Sequence, residues 1–429
     1  MKQRSAPTRR TFLKASAATA LAAPTIVPAS VFAKDDQPAP SDRVVVGSIG
    51  VGDLGRRHHL AGHLIPNKRI QMAAVCDVDR NHRDQAALDV LNRTGKKVDI
   101  YKDFRDLCDR KDIDAVLIAT PDHWHTLTSL YAMESGKDVY CEKPLTLTID
   151  EGKKTVEVAR RYGTVFQTGS QQRSDKRFRQ ACELVRNGRI GKLQRVDTYI
   201  GDIDGGAWQP TTTPPPELDW NFWLGPAPWA DYSANRCHYQ FRWFSDYSGG
   251  KMTDWGAHHN DIAQWGMGTD GSGPVKVKGQ GTFHENGPHD VPGKFDVNYT
   301  YANGVEMTCH SDGENGVKFT GSDGWVFVSR GQITESSHRD ILKTEFSDKD
   351  VRLYVSSDHH NNWLDCIQSR ERPICDVEIG HRSCTVCHLG NIAIRLGREL
   401  NWDPEKEVFV GDEQANRMLS RPMRAPWHI

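Results

Sequence analysis

The sequence predicts an α/β protein built from two domains. Strand and helix patterns alternate between residues 43 and 168, which is typical of a doubly wound parallel sheet. Strand patterns dominate from Val275 to about Val355, with helices before and after them, which indicates an α+β domain with a mostly antiparallel sheet. The length of 429 residues agrees, because a chain of this size exceeds one typical domain.

The composition is that of a soluble globular protein. Apolar residues make up 37% of the chain, and 55 basic residues nearly balance 56 acidic ones. This balance argues against a nucleic-acid-binding protein and against a disordered chain, because both classes carry a strong net charge or few apolar residues.

Residues 1–33 have the form of a twin-arginine export signal. Arg9 and Arg10 precede a short apolar run that ends in small residues at Ala33. The run is too short to cross a bilayer, so we expect no membrane span. Residues 34–42 are predicted to be a polar linker. We therefore expect a protein that is exported folded and is periplasmic or secreted.

The first strand runs directly into a glycine-rich turn. Gly50, Gly52 and Gly55 form a G-x-G-x-x-G pattern between a strand and a helix. Gly50 permits the tight turn, Gly52 lets the backbone approach a diphosphate, and Gly55 lets the helix pack on the strand. Asp53 and Leu54 start that helix, whose free N–H groups bind phosphate. The first domain is therefore predicted to be a dinucleotide-binding Rossmann domain.

The second strand ends in an acid. Asp77 lies about 20 residues after Gly55, as expected for the residue that binds the adenosine ribose. A carboxylate there accepts hydrogen bonds from both ribose hydroxyls of NAD and repels the 2′-phosphate of NADP. Asp77 therefore favours binding of NAD. Nearby Arg80 is a residue type that binds a 2′-phosphate, so NADP remains an alternative cofactor.

Two later strands of this domain run into polar residues. Thr120, Pro121 and His125 follow one strand, and Glu142 and Lys143 follow the next, ahead of a proline. The carboxyl ends of parallel strands are where open α/β sheets bind ligands. The predicted elements are a helix over 104–110, a strand over 114–120, a helix to about 135, a strand from 139, a helix over 148–162 and a strand over 164–169.

Residues 169–400 are predicted to form the second domain. An aromatic segment, residues 204–245, is rich in proline, glycine and aromatic residues. The tail, residues 401–429, is expected to wrap a neighbouring chain. The other predicted elements are helices near 176–187, 357–369 and 381–400, a strand over 193–199 and a hairpin turn at Asn303-Gly304.

Residues 249–261 are the chemically dense stretch of this domain. Two glycines precede a helix pattern that places Asp254, His258 and Asp261 on one face. A carboxylate one turn from an imidazole can orient the ring and raise its basicity, which suits a general base. A solvated helix face is one alternative. A metal site of His258, His259 and Asp261 is another, although His259 points off that face.

In their order along the chain, these segments resemble the Gfo/Idh/MocA family of NAD(P)-dependent oxidoreductases. The resemblance covers both domains. Asp122 is one departure, because the family usually has Asn there, and this puts the local cofactor contact in question. The matching pieces are GVGDLG at 50–55, Asp77, ATPDHWH at 119–125, CEKP at 141–144 and GGKMTDWGAHHND at 249–261.

The resemblance implies a role for each segment. Lys143 would lie beside the nicotinamide and the substrate hydroxyl, Asp254 would hold the substrate, and His258 would be the acid/base. An open-faced sheet would serve contacts in a homodimer or homotetramer, and no metal is implied. The predicted cofactor-binding residues are Gly50, Gly52, Asp53, Leu54, Gly55, Asp77, Arg80, Thr120, Pro121, His125, Glu142 and Lys143. The predicted substrate-binding residues are Lys143, Arg242, Asp254, His258 and Asp261.

The expected reaction is hydride transfer between a sugar, glycoside or polyol carbon and the nicotinamide. Aromatic rings stack on sugars and Arg242 can bind hydroxyls, although core packing or oligomer contacts compete for the same aromatic residues. Free NAD is scarce outside the cytoplasm, so we expect NAD, or else NADP, to be tightly bound. An NAD-dependent glycoside hydrolase that works through a transient keto-sugar is the alternative. A non-catalytic secreted carbohydrate-binding protein is the second alternative.

Overall fold

The computed structural model describes residue 39, residues 42–335 and residues 340–429. The predicted export signal, and nearly all of the predicted linker that follows it, lie outside the described residues. Among the residues that are described, no helix is both long enough and apolar enough to cross a membrane.

The first domain contains a six-stranded sheet in which every neighbouring pair is parallel. The order β3-β2-β1-β4-β5-β6 reverses direction between β1 and β4, and two separate apolar cores flank the sheet. The predicted Rossmann architecture is therefore confirmed. The elements are β1 (Val44–Ile49), α1 (Leu54–Leu64, a π-helix), β2 (Ile70–Cys76), α2 (Arg80–Thr94), β3 (Asp99–Tyr101), α3 (Phe104–Cys108), β4 (Ala115–Ile118), α4 (Asp122–Glu134), β5 (Asp138–Cys141), α5 (Ile149–Tyr162) and β6 (Phe166–Thr168).

The second domain contains a nine-stranded sheet in the order β13-β12-β11-β7-β10-β9-β8-β14-β15. Strands β7 and β10 pair in parallel and the other neighbours pair antiparallel, so the prediction of a mostly antiparallel sheet is confirmed. Helices α6, α9 and α11 cover one face through a large apolar core, and the opposite face carries exposed polar residues such as Arg195, Glu306 and Lys278. The strands are β7 (Leu193–Tyr199), β8 (Lys276–Gly281), β9 (Phe295–Thr300), β10 (Glu306–His310), β11 (Gly316–Gly321), β12 (Trp325–Ser329), β13 (Gln332–Glu335), β14 (Leu400–Asp403) and β15 (Val408–Phe409). The helices are α6 (Lys176–Arg186), α7 (Trp220–Leu224), α8 (Lys251–Asp254), α9 (Gly256–Met267), α10 (His359–Ser369), α11 (Val377–Leu396) and α12 (Glu413–Asn416), with 3-10 turns at Gln171–Ser174, Ala234–Arg236, His238–Trp243, Ile341–Lys343 and Arg417–Leu419.

The stretch predicted as one helix over 249–261 forms two helices. Helix α8 ends at Asp254 and α9 begins at Gly256, with Trp255 joining them. The backbone N–H groups of both His258 and His259 point to Trp255 O, at 3.0 Å each. The helical phase therefore shifts at this join, and the residues on either side of it contact different parts of the protein.

The C-terminal tail packs on its own chain, and its expected wrapping of a neighbour stays a prediction. β14 and β15 extend the nine-stranded sheet past the predicted boundary at residue 400. Trp427 stacks on Phe222, with ring centroids 5.7 Å apart, and meets Trp124 edge-on at 4.8 Å. These rings of the same chain give Trp427 the apolar surface that its burial requires.

The aromatic segment, residues 204–245, lies against the carboxyl edge of the first sheet. Asp219 N donates a hydrogen bond to Val78 O at 3.2 Å, just beyond β2. Trp124 Nε1, in the first turn after β4, donates one to Trp223 O at 2.9 Å. The second domain thus covers the edge at which a doubly wound sheet binds its ligand.

Candidate active site

A cleft runs along the carboxyl ends of β1, β2, β4 and β5, between the first sheet and the second domain. Arg80, His258 and Asp261 are predicted site residues that do not line it. The predicted residues that do line it are Gly50, Gly52, Asp53, Leu54, Gly55, Asp77, Thr120, Pro121, His125, Glu142, Lys143, Arg242 and Asp254.

The glycine turn shapes one part of the cleft wall. Gly50 has φ +79°, and a Cβ there would lie 2.5 Å from Thr120 N. A Cβ at Gly55 would lie 1.9 Å from Gly50 O, so α1 packs against the end of β1 only because no side chain intervenes. A Cβ at Gly52 would meet nothing closer than His82 Nδ1 at 3.5 Å. The turn is a backbone cradle open to the cleft, which fits a diphosphate group.

Asp77 places a carboxylate in the wall next to this turn. Its Oδ2 accepts a hydrogen bond from Val51 N at 2.9 Å, and its Oδ1 accepts one from Asp79 N at 2.9 Å. Arg80 is exposed at the start of α2, outside the cleft lining. The cleft wall at the end of β2 is therefore acidic, and it lacks the arginine that we considered for a 2′-phosphate.

His125 joins the ends of two neighbouring strands. Its Nδ1 lies 2.7 Å from Pro144 O, and its Nε2 lies 3.0 Å from Thr120 O. The first carbonyl follows β5 and the second follows β4. The buried ring thus fixes the distance between the two strand ends that form the middle of the cleft.

Asp122, at the position where the family usually has Asn, is buried in the cleft wall. Ser248 Oγ donates a hydrogen bond to its Oδ2 at 2.5 Å. Burial raises the pKa of Asp122, against the opposing charge of His125. The carboxyl group therefore anchors the second domain to the start of α4.

The cleft ends at an ion pair between the two domains. Lys143 follows β5 and precedes a cis peptide bond to Pro144. Its Nζ donates hydrogen bonds to Asp254 Oδ1 at 2.6 Å and to Asp254 O at 3.2 Å, and Arg242 Nε lies 3.8 Å from the same carboxylate oxygen. Although burial opposes the effect, the charges of Lys143 and Arg242 lower the pKa of Asp254. The paired side chains remain 12% and 13% exposed, so a ligand in the cleft can reach them.

Glu142, the neighbour of Lys143, is held by a buried histidine. His59 Nε2 lies 3.0 Å from Glu142 Oε1, and His59 Nδ1 lies 3.0 Å from His360 Nε2. Although burial opposes the effect, His59 and the charge of Lys143 lower the pKa of Glu142 to about 2. Glu142 Oε2 also accepts a hydrogen bond from Lys143 N at 3.3 Å, so an ionised carboxylate fixes the backbone from which Lys143 extends.

His258 is a buried imidazole in the first turn of α9. Within the described residues, its Nδ1 has no hydrogen-bond partner. Burial, followed by the charges of Lys143 and Arg330, lowers the pKa of His258 well below its usual value. The expectation that Asp254 raises the basicity of this ring is wrong, because Asp254 pairs with Lys143 instead. These effects favour the neutral form of the ring, and its Nδ1 lone pair or proton has no partner among the described residues.

Asp261 belongs to a different ion pair, inside the second domain. Arg173 donates to it through Nε and Nη2, both at 2.8 Å, and Ser383 Oγ donates to Oδ1 at 2.6 Å. The Arg173 and Asp261 side chains are 1% and 0% exposed. The substrate-binding role expected for Asp261 does not match this position, because its oxygens are engaged and water does not reach them. The alternative metal site with His258 and His259 also fails to converge, since His259 is hydrogen-bonded elsewhere.

Three residues near the site were missed by sequence reasoning. Gln172 lies in the turn after β6, Arg330 lies between β12 and β13, and His59 lies in α1. The first two come from segments without a motif, and only the fold brings them to His258. The adjacent histidines at 58 and 59, on a helix that packs against the sheet, were the one available signal.

Two family profiles match the chain. The profile described as oxidoreductase family, NAD-binding Rossmann fold, matches residues 44–170. The profile described as oxidoreductase family, C-terminal alpha/beta domain, matches residues 204–429. The chain belongs to the Gfo/Idh/MocA family. The family is described as an oxidoreductase family with an NAD-binding Rossmann domain, and the glycine turn and Asp77 are the parts of this chain's cleft that fit a dinucleotide.

Curated Gfo/Idh/MocA relatives align with part of the chain. A glycosyl hydrolase family 109 protein of Shewanella baltica (strain OS185) is 31% identical over 225 residues, which are 47% of this chain and 47% of that protein. The uncharacterized oxidoreductase YrbE of Bacillus subtilis (strain 168) is 31% identical over 150 residues, or 35% of this chain and 42% of that protein. The chain thus spans about half the length of the curated relatives it matches.

Solved structures share the whole two-domain fold. The WlbA dehydrogenase of Bordetella pertussis, in complex with NADH and UDP-GlcNAcA, has a TM-score of 0.63 and 17% identity, over 84% of this chain and 99% of that chain. The aldose-aldose oxidoreductase of Caulobacter crescentus has a TM-score of 0.60 and 18% identity, over 84% and 99%. At these identities the likeness establishes the fold of the Gfo/Idh/MocA enzymes and nothing finer.

Proposed function

We propose that the chain transfers hydride between a hydroxyl-bearing carbon of a sugar, glycoside or polyol and a tightly bound nicotinamide cofactor. The observation that carries the proposal is the 2.6 Å contact between Lys143 Nζ and Asp254 Oδ1. It joins a lysine of the dinucleotide-binding domain to a carboxylate of the second domain at the end of one cleft. A substrate hydroxyl at that point meets both a cation and a hydrogen-bond acceptor.

Lys143 and Asp254, which line this end of the cleft, and His258, which lies outside the lining, each have a task in the proposed reaction. The bound nicotinamide supplies or accepts the hydride. The neutral His258 ring takes the proton of the substrate hydroxyl. The Lys143 ammonium stabilises the negative charge that develops on the same oxygen, and Asp254 orients Lys143 and accepts a hydrogen bond from a neighbouring hydroxyl.

The proposed cofactor is NAD. Asp77 lines the cleft and would repel a 2′-phosphate, whereas Arg80 lies outside the lining. The aromatic segment supports tight binding, because its contacts at Val78 and Trp124 cover the edge of the sheet on which the dinucleotide would lie. Retained NAD would also suit the export by the twin-arginine route that residues 1–33 suggest.

The proposed sugar substrate is supported by the aromatic segment. Most of its tryptophans pack into the core, but Tyr239 is 63% exposed and lines the cleft beside Arg242. The Arg242 guanidinium carbon lies 4.6 Å from the Tyr239 ring centroid. A sugar can stack on the ring and bond to the guanidinium.

The test has two parts. Purified protein is denatured and its supernatant assayed for dinucleotide, where we expect NAD in near-stoichiometric amount. The untreated protein is then offered sugars and polyols, and we expect the absorbance of reduced nicotinamide to appear without added cofactor. Absence of bound dinucleotide would refute tight binding, and absence of reduction by every sugar or glycoside offered would refute the dehydrogenase.

A second candidate function is NAD-dependent cleavage of glycosides through a transient keto-sugar. The curated relatives named glycosyl hydrolase family 109 support it. Aryl glycosides distinguish the two: released aglycone with oxidised cofactor at the end means cleavage, and a keto-sugar with reduced cofactor means net oxidation. Lys143→Ala should abolish either outcome.

We also propose that the enzyme is a homodimer or homotetramer formed through the open face of the nine-stranded sheet. Exposed strand residues such as Arg195 and Glu306 occupy that face. Light scattering after size-exclusion chromatography tests the size. Fractionation of cells that express the full chain tests the proposed periplasmic or secreted location, with Arg9→Lys plus Arg10→Lys as the variant that should stay in the cytoplasm.

A further inference from the structure

Asp79 and two histidines lie together in the wall of the cleft, near Asp77. Asp79 and His82 belong to the start of α2, whereas His238 belongs to the aromatic segment. All three residues line the cleft. One potential metal-ligand atom from each lies within 4.8 Å of those of the other two. Two separate parts of the fold therefore bring two imidazoles and a carboxylate to one point.

The Asp79 carboxylate presents one oxygen to this point. Its Oδ1 caps α2 and accepts hydrogen bonds from Asn81 N at 2.8 Å and from His82 N at 3.4 Å. Its Oδ2 lies 3.9 Å from His238 Nε2. The cap fixes the carboxylate, because turning it away would release the first N–H groups of the helix. Oδ2 is thus held as an acceptor close to an imidazole nitrogen.

The His82 ring lies between His238 and a second carboxylate. Its Nδ1 is 3.7 Å from Asp77 Oδ2, and its ring centroid is 4.9 Å from that of His238. A carboxylate beside one nitrogen of an imidazole orients the rings of metal-binding histidines and leaves the other nitrogen for the metal. Asp77 therefore supplies the outer carboxylate that such a site uses.

His238 can complete the group by a small movement. Nitrogen ligands lie about 2.0–2.1 Å from zinc, so two ligands of a tetrahedral ion are about 3.4 Å apart. The 3.9 Å between His238 Nε2 and Asp79 Oδ2 is only slightly longer, and the His238 side chain is 49% exposed, so it has room to turn. Its backbone has φ +51°, a left-handed conformation that is uncommon outside glycine and is concentrated at functional sites.

We propose that Asp79, His82 and His238 bind a divalent transition-metal ion such as Zn²⁺. Two imidazoles and a carboxylate are a donor set that suits zinc, and three protein ligands leave the fourth tetrahedral position to water. Mg²⁺ and Ca²⁺ prefer oxygen ligands, so this site discriminates against them. The ion joins the start of α2 to the aromatic segment, where Arg80 N already donates a hydrogen bond to Glu217 O at 3.0 Å.

The metal site lies at the edge of the sheet on which the dinucleotide would lie. An ion that joins α2 to the aromatic segment holds that segment against the cleft, so a bound dinucleotide leaves more slowly. Metal binding itself does not depend on the proposed function, whereas this effect on cofactor release rests on it.

The first experiment measures metal binding to the purified full chain, prepared without an affinity tag and dialysed against a chelator. Calorimetric titration with Zn²⁺ should show one ion per chain, and Mg²⁺ should not bind. His238→Gln and His82→Gln should each weaken Zn²⁺ binding by more than about tenfold, because even the loss of an outer partner of a metal ligand has an effect of this size. Asp79 is left unchanged because it also caps α2.

His284→Gln is the matched control. His284 is a half-buried histidine whose Nε2 lies 2.9 Å from Ile203 O, just before the aromatic segment. This variant should bind Zn²⁺ as the wild type does. Absence of Zn²⁺ binding, equal binding of Mg²⁺, unchanged affinity in either His238→Gln or His82→Gln, or a matching loss in His284→Gln would each overturn the inference.

The second experiment measures how fast the bound dinucleotide leaves the holoprotein after dilution, with Zn²⁺ or with chelator present. Zn²⁺ should slow the release about fivefold or more, a usual size of coupling between two sites, and His238→Gln should remove the difference. Release that Zn²⁺ leaves unchanged or accelerates would overturn the effect on the cofactor. If the purified protein holds no dinucleotide, the proposed tight binding fails, and the Zn²⁺ titration still decides whether the metal site exists.

Discussion

Asp254 and Asp261 stand two helical turns apart in one segment, yet their ion pairs differ in almost every physical respect. Each pairs with a cation that follows a strand of the first sheet, Lys143 after β5 and Arg173 after β6. The first pair is 12% and 13% exposed, and the second is 1% and 0% exposed. Lys143 bonds through a single nitrogen, whereas Arg173 uses two and Ser383 adds a third donor.

This difference separates a pair that can share its bonds with a ligand from one that cannot. A lysine is a point charge with three donors, so Lys143 can keep Asp254 and still reach a substrate oxygen. The Arg173 guanidinium is engaged by Asp261 and also by Asp270, whose Oδ1 accepts from Nη2 at 2.7 Å, and water does not reach the Arg173–Asp261 pair. Two aspartates of one segment thus form part of the proposed reaction site and a structural contact, and we infer that solvent accessibility distinguishes the two roles.

The largest expected effect comes from removing the cation of the buried Arg173–Asp261 pair. Arg173→Met should lower the free energy of unfolding by about 3–5 kcal/mol, because it leaves the buried Asp261 charge without its cation. Chemical denaturation followed by tryptophan fluorescence measures this. Lys143→Met is the matched control at the less buried pair and should cost less than Arg173→Met, since its side chains are 12% and 13% exposed and water can reach the remaining charge. Equal losses would remove the distinction between the pairs.

The next effect breaks the accessible pair. Lys143→Met should lower kcat about 10²- to 10³-fold, as expected when one charge that stabilises a developing oxyanion is removed. The measurement is the rate at which the bound cofactor is reduced by a sugar that the wild type oxidises. The dinucleotide content of the variant is measured after denaturation, and the rate is expressed per bound cofactor, so that a loss of cofactor is separated from a loss of kcat. Near wild-type kcat in this variant would take Lys143 out of the mechanism.

The fold could be predicted from local patterns where those patterns are strong. Buried apolar runs give the parallel strands, and the helix predicted over 148–162 begins with a capping box, in which Thr148 and Glu151 bond to each other's backbone. The tail and the break at Trp255 could not be predicted. Both depend on rings and backbone groups that are far apart along the chain, and the hydrophobic pattern of a segment does not report its tertiary partner.

The candidate site also contains residues that could be predicted from sequence motifs and residues that could not. Motif residues such as Gly52 and Lys143 line the cleft because strand ends of a parallel sheet meet at one edge. Asp261 was predicted to bind substrate because the sequence pattern was interpreted as one unbroken helix through Trp255. Arg330 was missed because a turn between two antiparallel strands carries no signal of what it faces.

A third prediction concerns the pH dependence of kcat/KM, which the charges around His258 should set. Because burial and the charges of Lys143 and Arg330 lower the pKa of His258, the ring stays neutral at pH values where an ordinary histidine is protonated. We expect kcat/KM to stay constant as pH falls from roughly 8 to 6 and to decline only below the usual histidine range. Arg330→Gln removes one of the charges that lower this pKa, so its decline should begin at a higher pH. A wild-type decline centred on the ordinary pKa would show that His258 is not the base.

The smallest expected effects come from replacing two serines that each donate a hydrogen bond to a buried carboxylate. Ser383 donates to Asp261 in the structural pair, and Ser248 donates to Asp122 in the cleft wall. Ser383→Ala should lower the free energy of unfolding by about 1 kcal/mol, because Arg173 keeps its two bonds to the carboxylate, and should leave KM unchanged. Ser248→Ala should cost a similar amount of stability but also raise KM, since Asp122 lines the cleft. If the Ser383 variant altered KM as much as the Ser248 variant did, the buried pair would be coupled to the site, and accessibility would not be what distinguishes Asp254 from Asp261.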